Sequence, residues 1–205
     1  YGARTSLFIG FLSTGISLSI GVILGSIAGY FGGMTDNIIM RFVDVFMMLP
    51  TFFLILVIAA IFGSDIWNVM FIIGLTGWPS ITRLIRGNFL TLKNMDFILA
   101  VRGAGASDAY IIFREILPNA IYPAIVSASM RVSGAIMTEA SLSFLGLGDP
   151  NAVSWGWLLN ESMRAFRIAW WLPLFPGLAI TILAIGFNLM GDGINDALNP
   201  HLKER

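Results

Sequence analysis

Five stretches of this 205-residue sequence stay apolar for long enough to cross a bilayer, and nothing else in it limits the fold so strongly. A helix needs about 20 mostly apolar residues to cover the ~30 Å hydrocarbon core. Leu7 to Phe31 contains no charged residue. Phe42 to Phe62 has Asp44 near its start and Pro50 inside it. Ile66 to Ile81 is the weakest of the five, interrupted at Trp78-Pro79. Tyr122 to Leu147 carries Arg131 and Glu139, and Leu172 to Met190 closes the set. The expected fold class is all-α, a polytopic membrane helical bundle that forms one transmembrane domain over residues 1–205.

Composition agrees. Soluble domains carry about 25% charged and roughly 45–50% apolar residues, whereas here 12% are charged and 57% hydrophobic, with a mean hydropathy of +0.82. Too little polar surface is left to cover a soluble globule. The 12 basic and 12 acidic residues cancel, so nothing suggests a nucleic-acid partner. The absence of cysteine excludes disulfides and thiolate metal sites, and a lone histidine, His201, makes a histidine-based metal site or triad improbable. No cofactor, metal site or catalytic residue is expected.

Lys/Arg bias sets the orientation. The polar connection from Arg83 to Asn119 holds Arg83, Arg86, Lys93, Arg102 and Arg114, and the tail adds Lys203 and Arg205. Both are expected on the cytoplasmic side. Counting spans back from that connection puts the start of the chain outside, which implies at least one earlier span; a first residue of Tyr1 also reads as a chain lacking its N-terminal part. The connection from Asp149 to Trp171 then faces outward, with Trp155, Trp157, Trp170 and Trp171 suited to an interfacial aromatic belt. In the first span, Ser13, Ser17, Gly21, Gly25 and Gly29 recur every four residues and make one face thin enough for a second helix to approach closely.

The segment MDFILAVRGAGASDAYIIFREILPNAIYPAIV, from Met95, is the most informative. Phe97, Ile98 and Val101 have helical spacing, Gly103 and Gly105 mark a break, and Ser107 or Asp108 can cap a second short helix that presents Ile111, Ile112 and Ile116 before Pro118. Exposed apolar residues on a cytoplasmic helix–turn–helix would form a docking surface.

This segment resembles the EAA loop of binding-protein-dependent ABC importer permeases, and is most similar to the dipeptide/oligopeptide/nickel branch. The family pattern is Glu-Ala-Ala, three residues, Gly, nine residues, then Ile-x-Leu-Pro. Ala100, Gly105, Leu117 and Pro118 match it; Leu99 stands for the glutamate, Val101 for the second alanine and Glu115 for the isoleucine. YGARTSL from Tyr1, GYFGGMTD from Gly29, EASLSFLGLG from Glu139, Ser154-Trp155-Gly156 and GDGINDALNP near the end also look like family signatures.

The resemblance implies a type I ABC importer permease fold with a six-span core, of which this chain would hold five. It implies a second permease subunit, expected to be a different chain, two cytoplasmic ATP-binding subunits, an external solute-binding protein, and a bacterial or archaeal plasma (inner) membrane location. Residues 83–119 would be the cytoplasmic coupling loop, with Leu99, Ala100, Val101, Gly105, Ala106, Ser107, Asp108, Leu117 and Pro118 facing the ATPase. The expected solute is a di- or oligopeptide, with nickel or another small solute of the branch as the alternative. No Gly-x-x-x-x-Gly-Lys-Ser/Thr phosphate loop occurs in the sequence, consistent with ATP hydrolysis in a separate subunit.

Arg131, Glu139 and Asn188 are candidates for the solute path, because intramembrane polar groups face a partner or a watery cavity. Asp192 is a further candidate at the exit, and Arg41 and Asp44 are spaced to pair locally. Gly146-Leu147-Gly148-Asp149 also matches the Gly-x-Gly-Asp motif of intramembrane aspartyl proteases, with Asp44 as an imaginable second carboxylate. A protease, like an ion-gradient-driven secondary transporter, is a rival reading; the transporter would lack a need for an ordered docking loop.

Overall fold

The structure, a computed structural model, describes residues 2–63 and 65–198. His201, Lys203 and Arg205, named above for the tail, lie outside them. Every regular element among the described residues is helical. α1 covers Gly2–Phe31, α2 Gly33–Met48, α3 Thr51–Phe62, α4 Ile66–Leu92, α5 Asp96–Gly103 and α6 Asp108–Tyr110. A π-helical stretch, Ile111–Ile116, leads into α7, Leu117–Ala120, followed by α8, Tyr122–Phe144, α9, Trp155–Met163, and α10, Leu174–Leu198.

The four-residue stripe of α1 buries itself against α4. Ser13 donates to the Met70 carbonyl at 3.0 Å and Ser17 to that of Gly74 at 2.7 Å. Further along, a Cβ placed at Gly21, Gly25 or Gly29 would come within 3 Å of Ile81, Ile85 or Phe89. Residue numbers rise together on both helices, so α1 and α4 run parallel, as two same-direction spans with one return span between them must. Small residues allow this backbone approach, and the two buried serines of the stripe, Ser13 and Ser17, each find a carbonyl acceptor.

α1 and α10 are each long and apolar enough to cross a membrane; the bent pairs α2–α3, at 82°, and the Asp108–Ala120 and Tyr122–Phe144 helices, at 53°, qualify if each is one broken span. α4, whose first part is the weak span expected over Ile66 to Ile81, is not apolar enough to join them, yet it runs beside α1 over most of its 27 residues. α8 crosses both in the opposite sense, Gly10 lying against Val132 and Ile136. α10 returns along α8, with Gly191 against Ser129.

Two proline sites behave oppositely. At Pro50 the chain breaks: Leu49 is extended at φ −82°, ψ 130°, and α3 starts afresh at Thr51. At Pro79, where an interruption was expected, α4 continues unbroken. Proline in a helix interior forfeits one hydrogen bond and costs about 3 kcal/mol. Trp78, Pro79 and Ile81 are all buried, and this packing offsets the loss. α4 also continues to Leu92, so the first ten residues of the expected loop over residues 83–119 are helix. Its arginines hold α2: Arg86 grips Asp36 through Nε at 2.5 Å and Nη2 at 2.6 Å, and Arg83 reaches Asp44 at 2.5 Å. Asp44 therefore pairs across helices with Arg83, and not with Arg41.

Candidate functional site

Ile98, Ile111 and Ile116 are fully buried and form one cluster with Tyr30, Ile81, Ile85 and Phe89 from the inner ends of α1 and α4. This corrects the expectation that Ile111, Ile112 and Ile116 present an apolar docking face. Those isoleucines seat the segment on the bundle: Ile111 and Ile116 are buried, and Ile112 packs half-buried against the same cluster. The outward face is carried by Phe97, Leu99, Tyr110 and Phe113, the last 65% exposed.

Local chemistry explains the shape. Asp96 opens α5 in a position favourable to the helix dipole. Gly105 has φ +86°, which L-residues rarely adopt, and turns the chain. The Ser107 hydroxyl then accepts from the Tyr110 amide as N-cap. Pro118 follows a widened π turn in which the Leu117 amide bonds the Ile112 carbonyl, a common accommodation for a residue without an N–H. Leu99 and Ala100 are exposed, Val101 and Ala106 pack half-buried on the cluster, Leu117 is half-buried and Pro118 exposed.

The segment is tied to the bundle by polar contacts as well. The Tyr30 hydroxyl donates to Asp108 Oδ1 at 2.5 Å, Arg102 lies over the Tyr30 ring, and Lys93 donates to the Gly29 carbonyl at 3.0 Å. Asn88 donates to the Ala120 carbonyl at 3.0 Å. Tyr30 belongs to the GYFGGMTD signature, but its role depends on a residue 78 positions away and was not legible there.

Half-way along the bundle is a cavity of about 240 Å³ where α1, α3, α4 and α8 meet. Ser13, Thr14, Ser17, Thr51, Thr76 and Thr138 give it hydroxyls, and Arg131 gives it a charge. Arg131 bonds the Ser80 hydroxyl; its Nε and the Thr14 hydroxyl are buried without a partner. Of the three sequence candidates for the solute path, only Arg131 lines this cavity. Glu139 lies nearer the outer end, 3% exposed, accepting from Ser143 at 2.6 Å and Ser154 at 2.7 Å. Asn188 and Asp192 are exposed on α10.

The protease geometry fails. Asp149 accepts from the Ile66 amide at 3.2 Å at the start of α4, whereas Asp44 pairs with Arg83. Those α4 positions are roughly 25 Å apart at ~1.5 Å per residue, so the carboxylates cannot share a proton.

The family described as "Binding-protein-dependent transport system inner membrane component" matches residues 21–204. The glutathione transport system permease protein GsiD of Pectobacterium atrosepticum is 44% identical over 203 residues, covering 98% of this chain and 67% of that protein. The oligopeptide transport system permease protein OppC of Bacillus subtilis is 38% identical over 99% of this chain and 67% of its own length. The dipeptide transport system permease protein DppC of Haemophilus influenzae is 40% identical over 100% of this chain and 70% of its own length. Among solved structures, an inward-facing form of the MetNI methionine ABC transporter superposes with a TM-score of 0.73 at 18% identity, covering 97% of this chain and 94% of that one. An amino acid ABC transporter gives 0.71 at 14% identity, covering 96% and 92%. At these identities the likeness to both is one of fold.

Proposed function

The chain belongs to the family of binding-protein-dependent transport system inner membrane components, and from that premise we propose that it is one of two different permease subunits of a peptide importer. It is a multi-pass inner-membrane protein and not an enzyme; ATP is hydrolysed by a separate subunit, and an external binding protein delivers the solute. Peptide is the solute favoured by relatives named for glutathione, dipeptide and oligopeptide transport.

Within that reading, residues 83–119 form the coupling region and the ATPase seats on the outward face of Asp96–Ala120. The carrying observation is the division of that segment into a buried isoleucine side and an exposed aromatic side around Phe113. Buried contacts make it move as one body with α1 and α4, and exposed apolar side chains at a polar membrane edge suit a protein groove. Closure of the ATPases would then rock the bundle between inward-open and outward-open states, with Arg131 on the solute path.

The sequence has no cysteine to confuse a crosslink. Single cysteines at Ala104 and Ala109, both exposed and free of the Tyr30–Asp108 contact, should capture the ATPase subunit in native membranes, with a yield that changes on ATP addition. Absence of any crosslink along Leu99–Phe113 in a folded, inserted complex would refute the docking surface.

A further inference from the structure

We propose that the mid-bundle cavity is a carboxylate-binding subsite on the solute path, with Arg131 as its charged contact. The inference rests on the permease reading above and adds the chemistry of what the path holds.

Three observations converge on an anion. The residues lining the cavity include one cation, Arg131, and no carboxylate, and the guanidinium forms no ion pair among the described residues. An intramembrane charge facing a cavity calls for a counter-charge. Arg131 also keeps a buried Nε without an acceptor, and Thr14, 6% exposed, lines the same cavity with an unpartnered hydroxyl. Finally, α3 begins here. Its first residue, Thr51, lines the cavity, and Pro50 supplies no side-chain cap. The first amides of the helix are therefore unsatisfied from within it, and their dipole favours negative charge. The break at Leu49–Pro50 leaves a half-helix N-terminus at mid-depth beside an arginine and hydroxyls.

A carboxylate uses this set well. It accepts two parallel bonds from a guanidinium and further bonds from hydroxyl and amide donors, which Arg131, the threonines and the start of α3 supply here. Near neutral pH every unmodified peptide carries one at its C-terminus. A cavity of about 240 Å³ holds that end and the adjoining residue, while longer solutes extend toward the open side.

The test uses the assembled importer with both permeases, ATPases and binding protein. In a Thr138→Cys background, a negatively charged sulfonatoethyl methanethiosulfonate should react about tenfold faster than its trimethylammonium counterpart, the scale on which a charged cleft concentrates counter-ions. Arg131→Gln should erase the preference and Arg131→Lys retain it. Equal rates with Arg131 in place, or no reaction with either reagent in any nucleotide state, overturn the proposal.

A second readout follows uptake of alanyl-alanine and its C-terminal amide. The binding protein's own preference cancels when the ratio of the two is compared between variants. Arg131→Gln should lower the free-acid to amide ratio about tenfold, the loss of one charge-assisted contact, and Arg131→Lys should restore most of it. A proportional fall for both solutes shows Arg131 serving structure or pairing with the second permease, and overturns the subsite. Failure of the peptide reading would look different: the unsubstituted complex carries neither solute, while the reagent preference persists and locates the anion site.

Discussion

Tyr30 and Asp108 meet through a 2.5 Å hydrogen bond that joins the last turn of α1 to the first turn after Gly105. The carboxylate accepts and the phenol donates, at the boundary between the packed bundle and the segment proposed to meet the ATPase. Since α1 is fixed to α4 by its small-residue face, a displacement of Asp108 carries α1 and α4 with it. Tyr30→Phe keeps the ring under Arg102 and removes the hydroxyl that donates to Asp108, together with the longer 3.4 Å bond it accepts from Arg102. Loss of such a bond is worth about 1 kcal/mol, a roughly fivefold shift in the docked geometry. Uptake per ATP hydrolysed should fall by about that factor in proteoliposomes, with the complex still assembled. An unchanged ratio would exclude this contact from the coupling route.

Gly105 tests the same route from the chain's own geometry. At φ +86° a β-branched residue is strained by about 1–3 kcal/mol. Gly105→Val should therefore distort the turn between α5 and α6 and uncouple hydrolysis from uptake. Gly103 closes α5 with nothing within 4 Å of a Cβ, so Gly103→Val is the matched control and should retain coupling. Normal uptake by Gly105→Val would count against the turn as part of coupling.

The interface of α1 and α4 gives a stability prediction with its own control. A Cβ at Gly25 would lie 2.7 Å from the Thr82 carbonyl oxygen and 2.8 Å from the Ile85 Cβ. Backbone cannot step aside cheaply, so Gly25→Leu should destabilise the bundle by about 3 kcal/mol or more. Gly15 is exposed and has nothing within 4 Å. Gly15→Leu should leave stability within about 0.5 kcal/mol or raise it slightly. Unfolding midpoints in detergent decide it; equal effects at both sites would remove the close approach as the cause.

What the sequence made legible was local. The four-residue spacing of Ser13 to Gly29 names a packing face, because period alone decides which side chains share a helix side. Gly105 and Ser107 name a turn and a cap, because their backbone chemistry is their own. What it did not make legible depends on partners far away. Whether Ile111 and Ile116 face solvent depends on Phe89 and Ile85, and spacing cannot say which side of a short helix is covered. Pro50 and Pro79 are the same residue with opposite outcomes, since tertiary packing supports only the second. Asp44 found Arg83 in preference to its neighbour Arg41 for the same reason. The cavity gathers residues from four helices, so no window of sequence contains it; only Arg131, a charge where lipid forbids one, gave it away.

The outer end of the bundle hangs on Glu139. Its Oε1 accepts from Ser143 within α8 and from Ser154, whose oxygen in turn accepts from the Trp157 amide and caps α9. The Trp155 amide donates to Ser6 on α1 at 3.2 Å, so one cluster fastens α9 to both helices. The requirement is for an acceptor at this point, which a carboxamide oxygen also supplies. Glu139→Gln should therefore keep α9 docked, whereas Glu139→Leu strands two buried hydroxyls at about 1–3 kcal/mol each. Hydrogen exchange of the amides from Trp155 to Met163 is the measurement. Tenfold or greater loss of protection is expected in the leucine variant, with little change in the glutamine variant. Equal loosening in both would mean that the negative charge, and not the acceptor oxygen, holds α9 in place.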